Sequence, residues 1–324
     1  MKAAVRERYG PPEAVVELRE LETPTPGDDE VLVRVRATSV NIAEWYAVTG
    51  RPWLARPTMG LRRPKETRLG VDYAGIVEAV GKDVTQFRPG DEVFGGRSGA
   101  FAEYVAAKED RAIVHKPASV TFEQAAAVGT AALTALQGLR DQGGIEQGQS
   151  VLIHGASGGV GTFAVQIAKA LGGTVTAVCS APNVEIARSL GADRVVDYAQ
   201  EDWTRSGERY HLVLDIAGTR PFSHVRRVLE PDATVVVVGG PRANRLLGPL
   251  AHLAGSRLAA FRASQKVAFF LAKFGKEDME TLRELLADGA LTSVVDSVYP
   301  LDDLGKALRH MGEGHPRGKI VVTT

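Results

Sequence analysis

"VLIHGASGGVG", Val151 to Gly161, decides how this chain is read. An apolar run enters three glycines spaced G-x-x-G-x-x-G, and its middle also spells G-x-S-x-G. Two chemistries use such a turn. A nucleophile elbow sets a serine, here Ser157, on a sharp strand-to-helix bend, with an acid and then a histidine later in the chain. On order alone, Asp215 with His252, His310 or His315 supplies those partners. A dinucleotide loop uses its first glycine for the tight turn, its second for backbone approach to the diphosphate and its third for close helix–strand contact. Three features favour this second reading. An elbow has no use for Gly161. The loop opens a β-α-β-α-β run whose second strand ends about 18 residues later, near the spacing of roughly 20 that a dinucleotide fold requires. No His-Gly-Gly-Gly oxyanion segment lies upstream. Gly155, Ala156, Ser157, Gly158, Gly159, Val160 and Gly161 are therefore expected to cradle a diphosphate, with the amides at the helix start facing the anion.

Downstream, "VGTFAVQIAKALG" places Val160, Phe163, Ala164, Ile167, Ala168 and Leu171 on one helical face and stops at Gly172. "TVTAVC", "RVVDY", "HLVLDIAG" and "TVVVVGG" read as strands, apolar on both faces and separated by helices such as "NVEIARSLGAD". That pattern predicts a parallel, doubly wound sheet. Upstream, "VLVRVRA" alternates as a half-buried strand, and many short strands with glycine turns predict a compact, barrel-like β unit. Thr121 reads as the N-cap of the helix that follows that unit. Beyond residue 241, two amphipathic helices, "KEDMETLRELLADG" and "LDDLGKALRHM", precede a final strand, "GKIVVT", so the tail is expected to return to the β unit.

Composition bounds the function. The 324 residues hold 39 Lys+Arg and 39 Asp+Glu, so overall charge argues for neither nucleic acid nor a membrane as partner. The start has no apolar core of signal-peptide length, and "VAFFLAKF" (267–274) is too short to span a bilayer. Cys179 is the sole cysteine, which excludes an intrachain disulfide and fits a reducing, cytoplasmic location. An NAD site expects Asp or Glu at the end of the second strand. Here that end reads Cys179-Ser180-Ala181-Pro182-Asn183. No acid repels a 2′-phosphate there, and Ser180 donates to one, so NADP(H) is favoured over NAD(H).

With these residues in hand, the chain resembles the zinc-independent quinone oxidoreductases of the medium-chain dehydrogenase/reductase superfamily. The blocks that carry the resemblance include "VRATSVNIAEWY", "LGVDYAGIVEAVGKDVTQFRPGDEVFG", "GAFAEYV", "AAALTALQGL" and "VCSAPNVEIARSLGADRVVDY", in family order along nearly the whole length. The resemblance implies an α/β fold with a GroES-like β-rich catalytic domain over 1–121 and 276–324, and a Rossmann cofactor domain over 122–275. It implies that Asn41 lies beside the nicotinamide and that Tyr46 lines the acceptor pocket. Glu44 stands where the family usually has Asp. Thr134 and Thr130 are candidates near the nicotinamide amide, and Tyr198 near the adenosine end. Ser180, Asn183, Ala217, Gly239 and Gly240 complete the expected cofactor set. Pro182 stands where relatives carry Arg or Lys. In relatives a late edge strand pairs with a second copy, so "VAFFLAKF" points to a homodimer. Asn41 and Asp72 fall where a zinc branch would place its Cys and His ligands, and neither is a Cys or His.

Without a metal, an alcohol is a poor substrate, because nothing obvious ionises its hydroxyl. A quinone or enone needs less help. Hydride reaches the β-carbon, charge grows on the carbonyl oxygen, and donors aimed at that oxygen lower the barrier. Tyr46 or water is expected to deliver the proton. Trp53, in the loop "TGRPWLARP", is expected to stack on a flat acceptor. The competing readings are a serine hydrolase using Ser157 and a non-catalytic NADPH-binding protein.

Overall fold

The computed structural model describes residues 1–241, 246, 249–260, 263–314 and 316–324. His315, one of the histidines named for the elbow, lies outside the described residues. The chain forms two units, one of Met1–Leu133 with Lys273–Thr324 and one of Thr134–Ala272.

The first unit begins with a two-stranded antiparallel pair, β1 (Lys2–Val5) and β2 (Glu17–Glu20). Five further strands follow: β3 (Glu30–Val40), β4 (Asp72–Val80), β5 (Glu92–Gly96), β6 (Tyr104–Lys108) and β7 (Ile113–His115). The alternation read in "VLVRVRA" holds in part: Val31, Val33 and Val35 are buried and Arg36 is exposed, but Leu32 is buried too and Arg34 is half-buried. β3 and β4 are antiparallel, in a register that sets Ser39 opposite Asp72. The unit runs past the expected limit at 121 as far as Leu133. Thr121 does cap a helix, Phe122–Ala126, but that helix packs on β3 and β4.

The second unit holds six parallel strands: β8 (Ser150–His154), β9 (Thr174–Cys179), β10 (Arg194–Asp197), β11 (Tyr210–Asp215), β12 (Leu229–Val237) and β13 (Lys266–Phe269). Their order is β10-β9-β8-β11-β12-β13. This is the doubly wound order of a dinucleotide fold, with its reversal point between β8 and β11, directly beside the glycine loop. The helix Gly159–Ala170 is buried on more than the expected face. Thr162, Val165 and Gln166 are covered as well, because the helix meets β8, β9 and the turn Gly138–Gln142.

The tail returns as expected. Lys276–Ala287 and Leu304–Glu313 are helices, the second burying Leu304, Ala307, Leu308 and Met311. β14 (Val295–Pro300) and β15 (Lys319–Thr323) complete the first unit's sheet, in the order β14-β15-β3-β4-β5-β7 with β6 also paired to β3. The tail joins this unit from Lys273, slightly before the expected 276, since a side chain at Gly96 would strike the Phe274 ring.

Candidate functional site

The glycine loop is built by three different steric demands. Gly155 has φ +95°, a conformation that glycine alone adopts at little cost, and it turns the chain out of β8. A Cβ on Gly161 would lie 2.2 Å from the Gly155 carbonyl oxygen, so the helix and the loop touch backbone to backbone there. Gly158 differs: its nearest neighbour would be 3.8 Å from an added Cβ. The protein leaves that side open. Gly158 is the N-cap of a 12-residue helix whose first amides have no partners within the helix. Ala156 is fully buried, while Ser157, Gly159 and Val160 are half-buried.

Ala217 touches this loop, and the other expected cofactor residues lie at neighbouring strand ends. A side chain on Gly155 would meet the Ala217 amide nitrogen at 3.2 Å, and Ala217 bonds the His154 carbonyl at 3.1 Å. Gly239 bonds the Asp215 carbonyl, and Gly240 abuts Gly218, itself at φ +62°. At the end of β9, Ser180 Oγ accepts from Asn183 Nδ2 at 2.9 Å, which leaves the Ser180 hydroxyl proton to donate elsewhere. Tyr198 is half exposed and bonds the Cys179 carbonyl. Asp197 stands across the register from Cys179, an acid near the strand end that linear reading overlooks. Its Oδ1 is taken by the Ala199 amide at 3.1 Å.

Beneath the loop lies a cluster that the dinucleotide reading missed. Asp215 is buried and accepts from His154 Nδ1 at 2.8 Å, from His252 Nε2 at 2.9 Å and from the Gly218 amide at 2.9 Å. Burial alone would raise its carboxyl, but the hydrogen bonds from the two histidines hold it well below the usual range. One carboxylate thus ties together the end of β8, the turn carrying Ala217 and the helix Pro249–Ala260.

The first unit gathers Asn41, Glu44 and Thr130 in one buried polar cluster around Asp72. Asn41 caps the helix Ile42–Thr49, and Glu44 reaches back to its amide nitrogen at 2.9 Å. Asn41 Nδ2 donates to Asp72 Oδ2 at 2.9 Å, and Asn41 Oδ1 accepts from the Lys319 ammonium. Ser39 Oγ donates to Asp72 at 2.9 Å, and Thr130 donates to it twice, from N and Oγ1, at 2.8 and 2.7 Å. Lys319 lies 3.5 Å from Asp72 and is buried with it. Burial, reinforced by Asp72, pushes the Glu44 carboxyl up to about 7, and burial lowers the Lys319 ammonium. Both ends of the Asn41 amide are therefore bonded inside this unit. Thr134, half-buried on the helix Gly129–Gln137, is the first residue of the second unit.

Tyr46 lies on the helix that Asn41 caps, half-buried and edge-on to Trp45 with ring centroids 5.2 Å apart. Trp53 is 49% exposed, with the Arg56 guanidinium 5.7 Å from its ring centroid.

The Alcohol dehydrogenase GroES-like domain family matches residues 27–118, and the Zinc-binding dehydrogenase family matches residues 190–322. The chain is 34% identical to Quinone-oxidoreductase QR1, chloroplastic, of Triphysaria versicolor, over 99% of this chain and 98% of that protein. It belongs to the medium-chain dehydrogenase/reductase superfamily, quinone oxidoreductase-like. Trans-enoyl reductase pgmF of Aspergillus terreus is 32% identical, over 91% of this chain and 86% of that protein. The Escherichia coli quinone oxidoreductase complexed with NADPH superposes with a TM-score of 0.82 at 26% identity, covering both chains completely. This member of the superfamily is an oxidoreductase, and its likeness to NAD(P)H oxidoreductases fits a nicotinamide cofactor.

The zinc in one family description does not fit the donors present. Asn41 and Asp72 are bound to one another, and the Lys319 ammonium already fills the polar centre between them. Among the described residues no group of three His, Cys, Asp or Glu could hold a metal ion. None of the described helices is long and apolar enough to cross a membrane.

Proposed function

We propose that this chain is an NADPH-dependent, metal-independent reductase of quinones or α,β-unsaturated carbonyl compounds. The open side of Gly158, at the start of a helix with unpaired amides, carries the reading. A diphosphate fits a backbone that no side chain shields, and the helix dipole favours its charge. The bound nicotinamide supplies the hydride. Residues 155–161 grip the diphosphate, and Ala217, Gly239 and Gly240 keep the neighbouring strand ends free of bulk. Ser180 donates to the 2′-phosphate, and no carboxylate ends β9 to oppose it. Asn41 anchors the helix that presents Tyr46, and Tyr46 or a water it orders delivers the proton to the α-carbon. The outer edge of β13, with Phe269 exposed, pairs two copies into a homodimer.

The test is oxidation of NADPH and NADH by the purified protein across a panel of quinones and enones. Turnover with NADPH preferred is the expected result. Nucleotide binding without turnover on any acceptor would leave a binding protein, and fluorophosphonate labelling of Ser157 would restore the hydrolase reading.

A further inference from the structure

Overall neutrality hides a local imbalance. The 18 residues Arg51 to Arg68 hold six basic side chains (Arg51, Arg56, Arg62, Arg63, Lys65, Arg68) and one acid, Glu66, a net charge of +5. Since the whole chain is neutral, the other 306 residues carry −5. The same stretch exposes large apolar groups: Trp53 is 49%, Leu54 59% and Leu61 66% accessible. Arg62, Arg63 and Lys65 are exposed beside Leu61.

The segment is tied to the rest of its unit. Tyr9 Oη lies 3.0 and 2.7 Å from the carbonyls of Met59 and Gly60, which share its one proton. Arg56 donates to the Gly50 carbonyl at 2.9 Å and lies 4.8 Å from the Tyr9 ring centroid. Pro52, Gly60 and Pro64 are buried beneath it. The segment comes directly after the helix that carries Tyr46, and Arg62, Arg63 and Lys65 are its exposed cations.

We propose that the 51–68 segment docks the protein on an anionic lipid bilayer. Exposed Trp and Leu beside Lys and Arg is the combination that suits the headgroup boundary, where rings and aliphatic groups enter while cations meet phosphate. Charge alone would suit an acidic protein equally; the exposed Trp53, Leu54 and Leu61 add the apolar groups that a bilayer accepts. Resting on the reductase reading, the surface also has a purpose: lipophilic quinones and enones partition into bilayers, and docking brings the Tyr46 helix to that store.

Co-sedimentation of the purified protein with vesicles of phosphatidylcholine, alone or with 30% phosphatidylglycerol, tests the idea without any acceptor or nucleotide. A null result there leaves the reductase reading standing, and an inactive enzyme leaves vesicle binding unaffected. Binding is expected to the anionic vesicles only, and to weaken in high salt. The Arg62→Gln/Arg63→Gln/Lys65→Gln variant should bind about 100-fold more weakly, at roughly fivefold per charge. It should still reduce a water-soluble quinone at the wild-type rate. Leu54→Gln/Leu61→Gln should also weaken binding. No binding to anionic vesicles, or binding untouched by the triple charge change, overturns the proposal. So does capture of polyglutamate with no affinity for vesicles, which would assign the surface to an acidic protein.

Discussion

Gly158 and Gly161 stand three residues apart, and the structure assigns their missing side chains to different neighbours. For Gly161→Ala, the new methyl would begin 2.2 Å from the Gly155 oxygen and 2.7 Å from Ala156 backbone atoms. Relief requires the loop and helix to part by about 1 Å. Overpacking of this kind costs about 1–3 kcal/mol, offset by about 1 kcal/mol of helix propensity gained. A modest loss of stability should therefore accompany a large loss of affinity, about 100-fold in NADPH Kd, because the amides are misplaced by the same distance. For Gly158→Ala, no protein atom lies within 3.8 Å and φ is −83°, which alanine accepts. The folded protein should lose less than about 1 kcal/mol, from the poorer N-cap. The methyl would nevertheless occupy the diphosphate's approach, raising Kd at least tenfold, or about 1.4 kcal/mol. Calorimetric titration with NADPH, paired with thermal melts of the nucleotide-free protein, separates the two effects. A Gly158→Ala protein that melts and binds NADPH like wild type would refute the assignment of this loop to the cofactor.

Three further outcomes follow from the buried charges and the strand end. Because Glu44 is raised to about 7 in the fold from 4.5, its contribution to stability is full below pH 4.5 and is lost as pH climbs to 7. Glu44→Gln should remove that loss, so chemical denaturation at pH 5 and pH 8 should show the variant gaining on wild type by about 3 kcal/mol across the interval. Asp215 is depressed, so its contribution is present above about pH 4 and disappears on acidification below that point. Asp215→Asn should cost about 3–5 kcal/mol near neutrality and flatten the acid limb of a melting-temperature profile; an unchanged acid limb would argue against the His154 and His252 bonds. Ser180→Asp places a carboxylate where the 2′-phosphate is expected, and the NADPH:NADH ratio of kcat/KM should fall at least tenfold, with an unaltered ratio moving that phosphate elsewhere.

The fold was legible wherever a local steric rule governs. Gly155 and Gly161 are demanded by backbone contacts that repeat in any such loop, and the apolar strands β8 to β12 declare a sheet covered on both faces. The limit at Leu133 was not legible, because the capped helix after Thr121 looks the same whichever sheet it covers. Site chemistry was legible by residue type and not by partner. Asn41, Glu44 and Thr130 were singled out, yet their meeting at Asp72 depends on the registers of β3 with β4 and with β15. Lys319 was passed over: a lysine opening an apolar strand ordinarily reads as a solvated end, and only the assembled sheet encloses it. Asp215 enters the sequence reading only as an elbow acid, and chain order does not reveal that His154 joins His252 on its carboxylate.

The split construction of the first unit has a consequence for synthesis. A ribosome releases Asn41, Glu44 and Asp72 early, then the entire six-stranded unit, and only afterwards the strand bearing Lys319. Until that strand arrives, enclosing the Asp72 carboxylate would leave it without its ammonium, an arrangement that costs several kcal/mol. The early strands are therefore expected to close fully over Asp72 only with β15 in place, while the second unit, continuous in sequence, needs nothing from the tail. Completion of the first unit's polar core thus rests on the last strand made.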